Sequence, residues 1–414
     1  MNEIYVDLAV IGGGPAGLAS AISAKESGVE KVVVIDRNSW LGGILPQCIH
    51  DGFGVEEVGK SLTGPEYAEM YIKKAEEKGI KFMKETMVLS FNKKLQILAV
   101  NKKGLYTINS KSIVLATGCR EKTRWHALIP GTRPSGIYTA GVAQSFINLY
   151  NIMPGKKVVI LGSGDVGLIM ARRFTLEGAE VAGVVEILPY ASGLPRNVVQ
   201  CLEDYEIPLF LNHTITLIEG KERIEAVTIS KVDENMNVIE GSEKRIECDT
   251  LLLSLGLIPE NEIAKTARIE IDDLTGGAVV NQDFETSIPN TFAVGNCLQV
   301  YDTVDVLSID AKTAGKYAGE KLVYGGKEKF NCIKVVPGNG IRYVVPQKID
   351  RTGKVIISLR VRKPGENLTL VIKAKNKEIF NKKMPWVNPA NMVRMEFNVS
   401  EEIFSYESIE VELK

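Results

Sequence analysis

Apolar residues along the chain follow two rhythms. Up to about residue 326, short apolar runs of the kind that form strands buried on both faces alternate with stretches of helical period; beyond it, strict apolar-polar alternation takes over. Tyr5 to Ile11 alternates and then runs apolar, which predicts a buried strand. Leu18 to Ser27 predicts a helix, and "KVVVID" a second strand ending in Asp36. The same order returns in "KKVVILG", a helix through Glu177 that Gly178 would stop, and "EVAGVVEI", which carries Glu186. "SIVLATGCRE" (Ser112 to Glu121) and "TLLLSLGLIP" (Thr250 to Pro259) each predict a strand ending in a small-residue turn, at equivalent distances beyond the two repeats. They are read as the points where the chain passes between domains. "NTFAVGNC" predicts a further strand, leading to a helix from near Asp305 toward Leu322. After it, "KVIISLRVRK", "LTLVIKAKNKEIF", "NMVRMEFNVS" and "YESIEVELK" read as half-buried antiparallel strands.

What joins strand to helix in both repeats is chemically pointed. Gly12, Gly14 and Gly17 have the G-x-G-x-x-G spacing, and so do Gly162, Gly164 and Gly167. Glycines there permit a tight turn and close backbone approach to a pyrophosphate, and the helix start offers it free N–H groups. An acid at the end of the next strand accepts the ribose hydroxyls. Asp36 follows Gly17 by the same interval as Glu186 follows Gly167. One such glycine triplet is often a mere turn, but strand, glycines, helix and terminal acid repeated twice are specific for dinucleotides. The expected class is therefore α/β, with two Rossmann-like domains, each for a dinucleotide, the second inserted in the first, and a small C-terminal antiparallel β domain. The expected boundaries are 1–122 and 261–326 for the first domain, 123–260 for the insert with its linker, and 327–414 for the β domain, expected to serve subunit contacts.

Length and charge narrow the function. With 414 residues the chain is long enough for two or three domains of about 100 to 200 residues. A formal charge of −1 supplies no field for nucleic acid or acidic membranes. No apolar run approaches the roughly 20 residues of a membrane span, and the N-terminus has no basic leader, so a cytoplasmic, unprocessed protein without an integral membrane segment is expected. Six scattered cysteines, with no C-x-x-C pair, suggest reduced thiols and no metal site.

These residues resemble the two-dinucleotide-binding-domain flavoproteins, the pyridine nucleotide-disulfide oxidoreductase-like group, which implies FAD in the first Rossmann-like domain and NAD in the second, inserted one. The resemblance covers Met1 to about Gly326 and rests on the doubled motif, the "ATG" turn and "TFAVGNC". A narrower resemblance, carried by "GGILPQCIHDGFG", "LTGPEYA", "GCREKTR", "IPGTRPSGIYTAG" and "GNCLQVYDTVDVLS", is to the alpha-type subunits of sarcosine oxidase, hydrogen cyanide synthase, and opine and dye-linked proline dehydrogenases. It extends to relatives partnered with glycerol-3-phosphate dehydrogenase-like flavoproteins. It implies a hetero-oligomer in which this chain works beside a substrate-oxidising flavoprotein subunit. For FAD it implies Gly12, Gly14, Pro15, Ala16, Gly17, Asp36, Arg37, Gly42, Gly43, Ala116, Thr117, Gly118, Gly295 and Asn296. For NAD(H) it implies Gly162, Gly164, Asp165, Val166, Gly167 and Glu186. Two departures stand out: Asn296 where most of the superfamily has an aspartate for the ribityl chain, and Asp36 where a longer glutamate is usual.

Hydride transfer between nicotinamide and flavin needs alignment more than a protein acid or base. Subfamilies differ in where the electrons go next, and a dithiol relay needs two neighbouring sulfurs. Here Cys48 stands alone after Gly42–Gly43, Cys201 stands alone in the insert, and no histidine follows His213. Cys48, with Gln47 and His50, lies in the segment that passes the flavin in related folds; a redox thiol and a small packing residue are both consistent with it. His126 reads as a solvated loop residue and His213 as a strand-surface one. Glu186 would repel the 2'-phosphate of NADP, and Arg172 and Arg173 sit within the helix, so NADH is expected. The leading expectation is an FAD-dependent oxidoreductase exchanging hydride with NAD(H) and handing electrons to a partner. Two others compete: a structural or nucleotide-sensing subunit without NADH turnover, and a stand-alone NADH oxidase or peroxidase using Cys48.

Overall fold

The structure, a computed structural model, describes residues 2–326, 331–375 and 377–414. The expected start of the C-terminal part, at residue 327, lies outside the described residues. The chain divides into two compact units, Met1–Cys119 with Pro259–Lys414, and Arg120–Ile258.

In the first unit the strand Asn2–Ile11 lies between Val32–Ile35 and Gly104–Leu115, parallel to both. Its alternate residues serve two cores. Leu8 and Val10 face the helices, while Ala9 and Ile11 face a second apolar cluster with Ile97, Ile113 and Ile269. Burial on both sides is why this run reads as nearly continuous apolar sequence. Gly104–Leu115 is long enough to share one edge between two partners: its first half pairs antiparallel with Gln96–Asn101, its last three residues parallel with Thr291–Ala293. The helices Pro15–Glu26 and Val304–Tyr324 cross so closely that a Cβ on Gly315 would stand 2.1 Å from the Ser20 carbonyl oxygen.

The second unit repeats the plan with a five-stranded parallel sheet, in the order Leu209–Phe210, Glu180–Val185, Lys157–Leu161, Thr250–Leu253, Ile137–Thr139. Val158 and Ile160 pack against the helices Ala140–Tyr150 and Asp165–Leu176; Val159 and Leu161 pack against a three-stranded antiparallel sheet that includes His213–Gly220 and Ile224–Lys231.

The C-terminal strands form a five-stranded and a three-stranded sheet around one apolar core. Two features differ from the sequence pattern. "LTLVIKAKNKEIF" is not one strand but a hairpin, Gly365–Ala374 with Lys377–Val387, whose turn holds Lys375 at φ +53° with no glycine or proline to mark it. The module is also not wholly antiparallel, because Ile333–Pro337 and Ser408–Leu413 pair in parallel. These are the first strand of the module and the last strand of the chain, so a long connection is available between them.

The helix crossing yields a stability prediction. Replacing Gly315 with leucine forces a side chain against a backbone carbonyl and should destabilise the first unit by about 1–3 kcal/mol or more. Urea unfolding followed by circular dichroism should show an earlier transition; an unchanged one would contradict the packing described.

Candidate active site

Two strand–turn–helix sites, one in each unit, are built by the same local rule. At the end of Asn2–Ile11 the backbone turns at Gly12, whose φ is +111°, and a Cβ there would lie 2.2 Å from the Ala116 carbonyl oxygen. At the end of Lys157–Leu161 the turn is Gly162, φ +95°, and its Cβ would lie 2.2 Å from the Ser254 carbonyl oxygen. In both places only glycine lets the turn fit under the neighbouring strand end. The helices that follow start at Gly14 and Gly164 without a side-chain cap, so the geometry suits an anion.

The acids repeat as well. Asp36, buried, accepts the Gly13 N–H on Oδ2 at 2.7 Å and the Asn38 N–H on Oδ1 at 2.8 Å. Glu186, buried, accepts the Ser163 N–H on Oε2 at 3.0 Å and the Leu188 N–H on Oε1 at 3.0 Å. Glu186 then gains two donors with no counterpart at Asp36: the Ser163 hydroxyl at 2.5 Å and the Ser192 hydroxyl at 2.9 Å, both on Oε2. Asp165, at the helix start, accepts the Leu194 N–H at 2.8 Å and the Asn197 amide at 2.6 Å, fastening the 192–197 segment beside the glycine turn. Ser163, Ser192 and Asn197 were not singled out in the sequence. Ser163 stands inside the glycine motif; Ser192 and Asn197 had no signal there.

Around the first cleft the expected residues converge. The Gly42 N–H donates to the Gly13 carbonyl at 2.8 Å, and a Cβ on Gly43 would come within 3.0 Å of the Gly14 Cα. The Thr117 hydroxyl donates to the Glu260 carbonyl at 2.6 Å, and the Glu260 N–H returns to the Gly118 carbonyl at 2.9 Å. A Cβ on Gly295 would sit 2.7 Å from that of Ala16, bringing Gly295–Asn296 against the helix start beside Pro15 and Gly17. Arg37 is exposed just past Asp36. Val166 and Gly167 open the second unit's helix, where the Gly167 N–H donates to the Ser254 hydroxyl at 3.2 Å.

The residues fit FAD on two grounds: a turn that any side chain would fill and a helix start with no cap.

Gln47, Cys48 and His50 follow Gly42–Gly43 on the same loop. The Cys48 thiol donates to the Ile44 carbonyl at 3.5 Å, and burial pushes it up to about 12. His50 lies with Nδ1 at 3.0 Å from the Asp51 carbonyl and its ring against Phe53. A thiol raised that far is almost wholly protonated at neutral pH. His126 caps its own short helix through Thr123, and His213 lies at a strand start with Nδ1 at 2.6 Å from the Leu211 carbonyl. None of the six cysteines is in a disulfide. Among the described residues no cluster suited to a metal occurs, and no helix is long and apolar enough to cross a membrane.

The raised thiol generates a labelling prediction. Iodoacetamide at pH 8 should modify the exposed Cys332 well before Cys48, and Cys48 labelling should climb steeply as pH rises toward 12. Peptide mass spectrometry reads this directly; Cys48 reacting first would contradict it.

Residues 6–336 match the pyridine nucleotide-disulphide oxidoreductase family. The chain is 28% identical over 346 residues to NADH oxidase of Methanocaldococcus jannaschii, spanning 78% of this chain and 70% of that protein. It is 26% identical over 316 residues to hydrogen cyanide synthase subunit HcnB of Pseudomonas protegens, spanning 69% and 65%. In fold it is similar to the crystal structure of T. acidophilum thioredoxin reductase, with a TM-score of 0.61 at 23% identity over 75% of this chain and 96% of that one. The doubled glycine turn and the family match agree: the chain belongs to the pyridine nucleotide-disulphide oxidoreductase family and is a flavin-dependent NAD(P)H oxidoreductase that uses FAD.

Proposed function

We propose that this chain is the NADH-linked flavoprotein subunit of a substrate dehydrogenase or oxidase, working beside a second flavoprotein that oxidises glycerol 3-phosphate or an amino acid. The observation that carries the reading is the pair of glycine turns, one in each unit, in a chain with no two cysteines at the short sequence spacing of a dithiol relay. With no thiol pair to receive them, electrons would leave to another protein or a small acceptor. The similarity to HcnB, itself named as a subunit, supports the assignment.

When bound, FAD supplies a two-electron carrier that a nicotinamide can reduce by hydride transfer. The chain's residues would do the rest. The Gly12 turn and the uncapped start of Pro15–Glu26 would receive the pyrophosphate, with Asp36 and Arg37 at the adenosine end and Gly42–Gly43 closing over it. Ala116–Gly118 and Gly295–Asn296 would line the cleft's other wall. In the second unit Gly162, Gly164, Val166 and Gly167 would form the NADH cradle. Asp165 would hold its flanking segment, and Glu186 would accept the adenosine ribose hydroxyls by exchanging the Ser192 hydroxyl for the ligand's. Gln47, Cys48 and His50 would shield and orient the flavin ring, with Cys48 as a neutral thiol.

A stand-alone NADH oxidase is the second reading, favoured by the M. jannaschii relative. Reactive Cys48 chemistry would need a thiolate, against which burial works. Anaerobic rapid mixing separates the readings. NADH should bleach the flavin's visible band within a turnover time, faster than NADPH does. Glu186→Ala should narrow that preference by about tenfold. In air the isolated chain should turn over NADH slowly, and adding the native partner with its substrate should accelerate electron flow. An unbleached flavin would favour a nucleotide-sensing subunit and contradict the proposal; fast oxygen turnover lost in Cys48→Ser would favour the stand-alone oxidase.

A further inference from the structure

The segment between Asn296 and the helix Val304–Tyr324 is held from the C-terminal β module. Arg360, on the strand Gly353–Val361, is 9% exposed and has every donor engaged. Nε donates to the Tyr343 hydroxyl at 3.1 Å. Nη1 donates to the carbonyls of Pro389 at 2.9 Å and Ala390 at 2.8 Å, and Nη2 to the Val300 carbonyl at 3.0 Å and to the Asp302 carboxylate. A guanidinium has five N–H groups, and all five are used. The other oxygen of Asp302 accepts the Met392 N–H. From the neighbouring strand Val393–Val399, Arg394 donates to Asp310 Oδ1 at 2.6 Å, while Asp310 Oδ2 accepts the Tyr301 hydroxyl at 2.9 Å.

This double clamp ends on Asn296, one of the two positions at which the sequence departs from the superfamily it resembles. The Tyr301 N–H donates to Asn296 Oδ1 at 3.1 Å. An asparagine amide has one acceptor end and one donor end. With the acceptor end taken by the backbone of a segment that Arg360 and Arg394 fix on both sides, the donor end is the one left for a ligand. A carboxylate at 296 could only accept; the clamped amide presents N–H groups instead.

We propose that Arg360 and Arg394 are positioning residues for FAD: through Val300–Asp302 and Tyr301 they orient the Asn296 amide so that it donates to an acceptor oxygen of the bound dinucleotide. The C-terminal β module then forms part of the flavin site, whatever else its surface binds. The proposal rests on the assignment of FAD to the first unit. A clamp that only stabilised the fold would act on unfolding alone, whereas one that orients Asn296 acts through Asn296.

A double-mutant cycle on the full chain, stripped of FAD and retitrated, makes that distinction. Arg360→Lys should weaken FAD binding by about tenfold, and Asn296→Ala by a similar factor. The double variant should bind little worse than either one. Both single variants should move the visible circular dichroism of the bound flavin in the same direction. Arg394→Gln, which leaves Arg360 intact, should do the same more weakly and serves if Arg360→Lys does not fold. Variants that lower the unfolding temperature but leave the FAD dissociation constant and the flavin dichroism unchanged would overturn the proposal, as would fully additive losses. A wild-type chain that takes up no FAD would overturn the cofactor assignment itself, and this proposal with it.

Discussion

The organisation of the whole chain depends on one close approach. A strand must turn into a helix directly beneath the end of a neighbouring strand, with no side chain between them, so that backbone N–H groups face an open cleft. At Gly12 the obstruction would be the Ala116 carbonyl, at Gly162 the Ser254 carbonyl, and a Cβ would be 2.2 Å from either. The buried strands supply the rigid backing, because each sends alternate side chains into two different cores. The turns are consequently set by the buried strands of both units.

From this frame the differences between the clefts acquire meaning. Asp36 and Glu186 take equivalent backbone partners, one from the glycine turn and one from two residues further along the chain. Only Glu186 also collects two serine hydroxyls. A tightly retained cofactor and an exchanging one make different demands, and a carboxylate that trades a serine hydroxyl for a ribose hydroxyl binds with less desolvation cost than one left bare. The Cys48 thiol, pushed up by burial, completes a cleft whose chemistry would come from the cofactors rather than from side chains.

How much was legible in the sequence follows from how local each signal is. The strand, glycine turn, helix and acid lie within one short stretch, so both copies could be read, down to the equivalence of Asp36 and Glu186. The helix Gly64–Glu77 is also signalled, by the Thr63 and Glu66 capping box with proline in its first turn, within the stretch "LTGPEYA". The hairpin within 365–387 has no glycine or proline at its turn and reads as one alternating strand. Contacts distant in sequence were invisible. Ser163 meets Ser192 across 29 positions, and Arg360 meets Asp302 across 58. Nothing in the pattern of an arginine in the alternating strand "KVIISLRVRK" announces that it reaches the flank of a glycine turn in another part of the unit.

The most direct measurement of the central claim is the ligand content of two single variants, Gly12→Ala and Gly162→Ala, since each adds only the Cβ that the geometry forbids. Gly12→Ala should purify without FAD while still binding NADH by calorimetry, and Gly162→Ala should keep its FAD and lose NADH binding. If each variant retained both ligands, or if Gly162→Ala lost FAD while Gly12→Ala kept it, the assignment of one dinucleotide to each glycine turn would be contradicted.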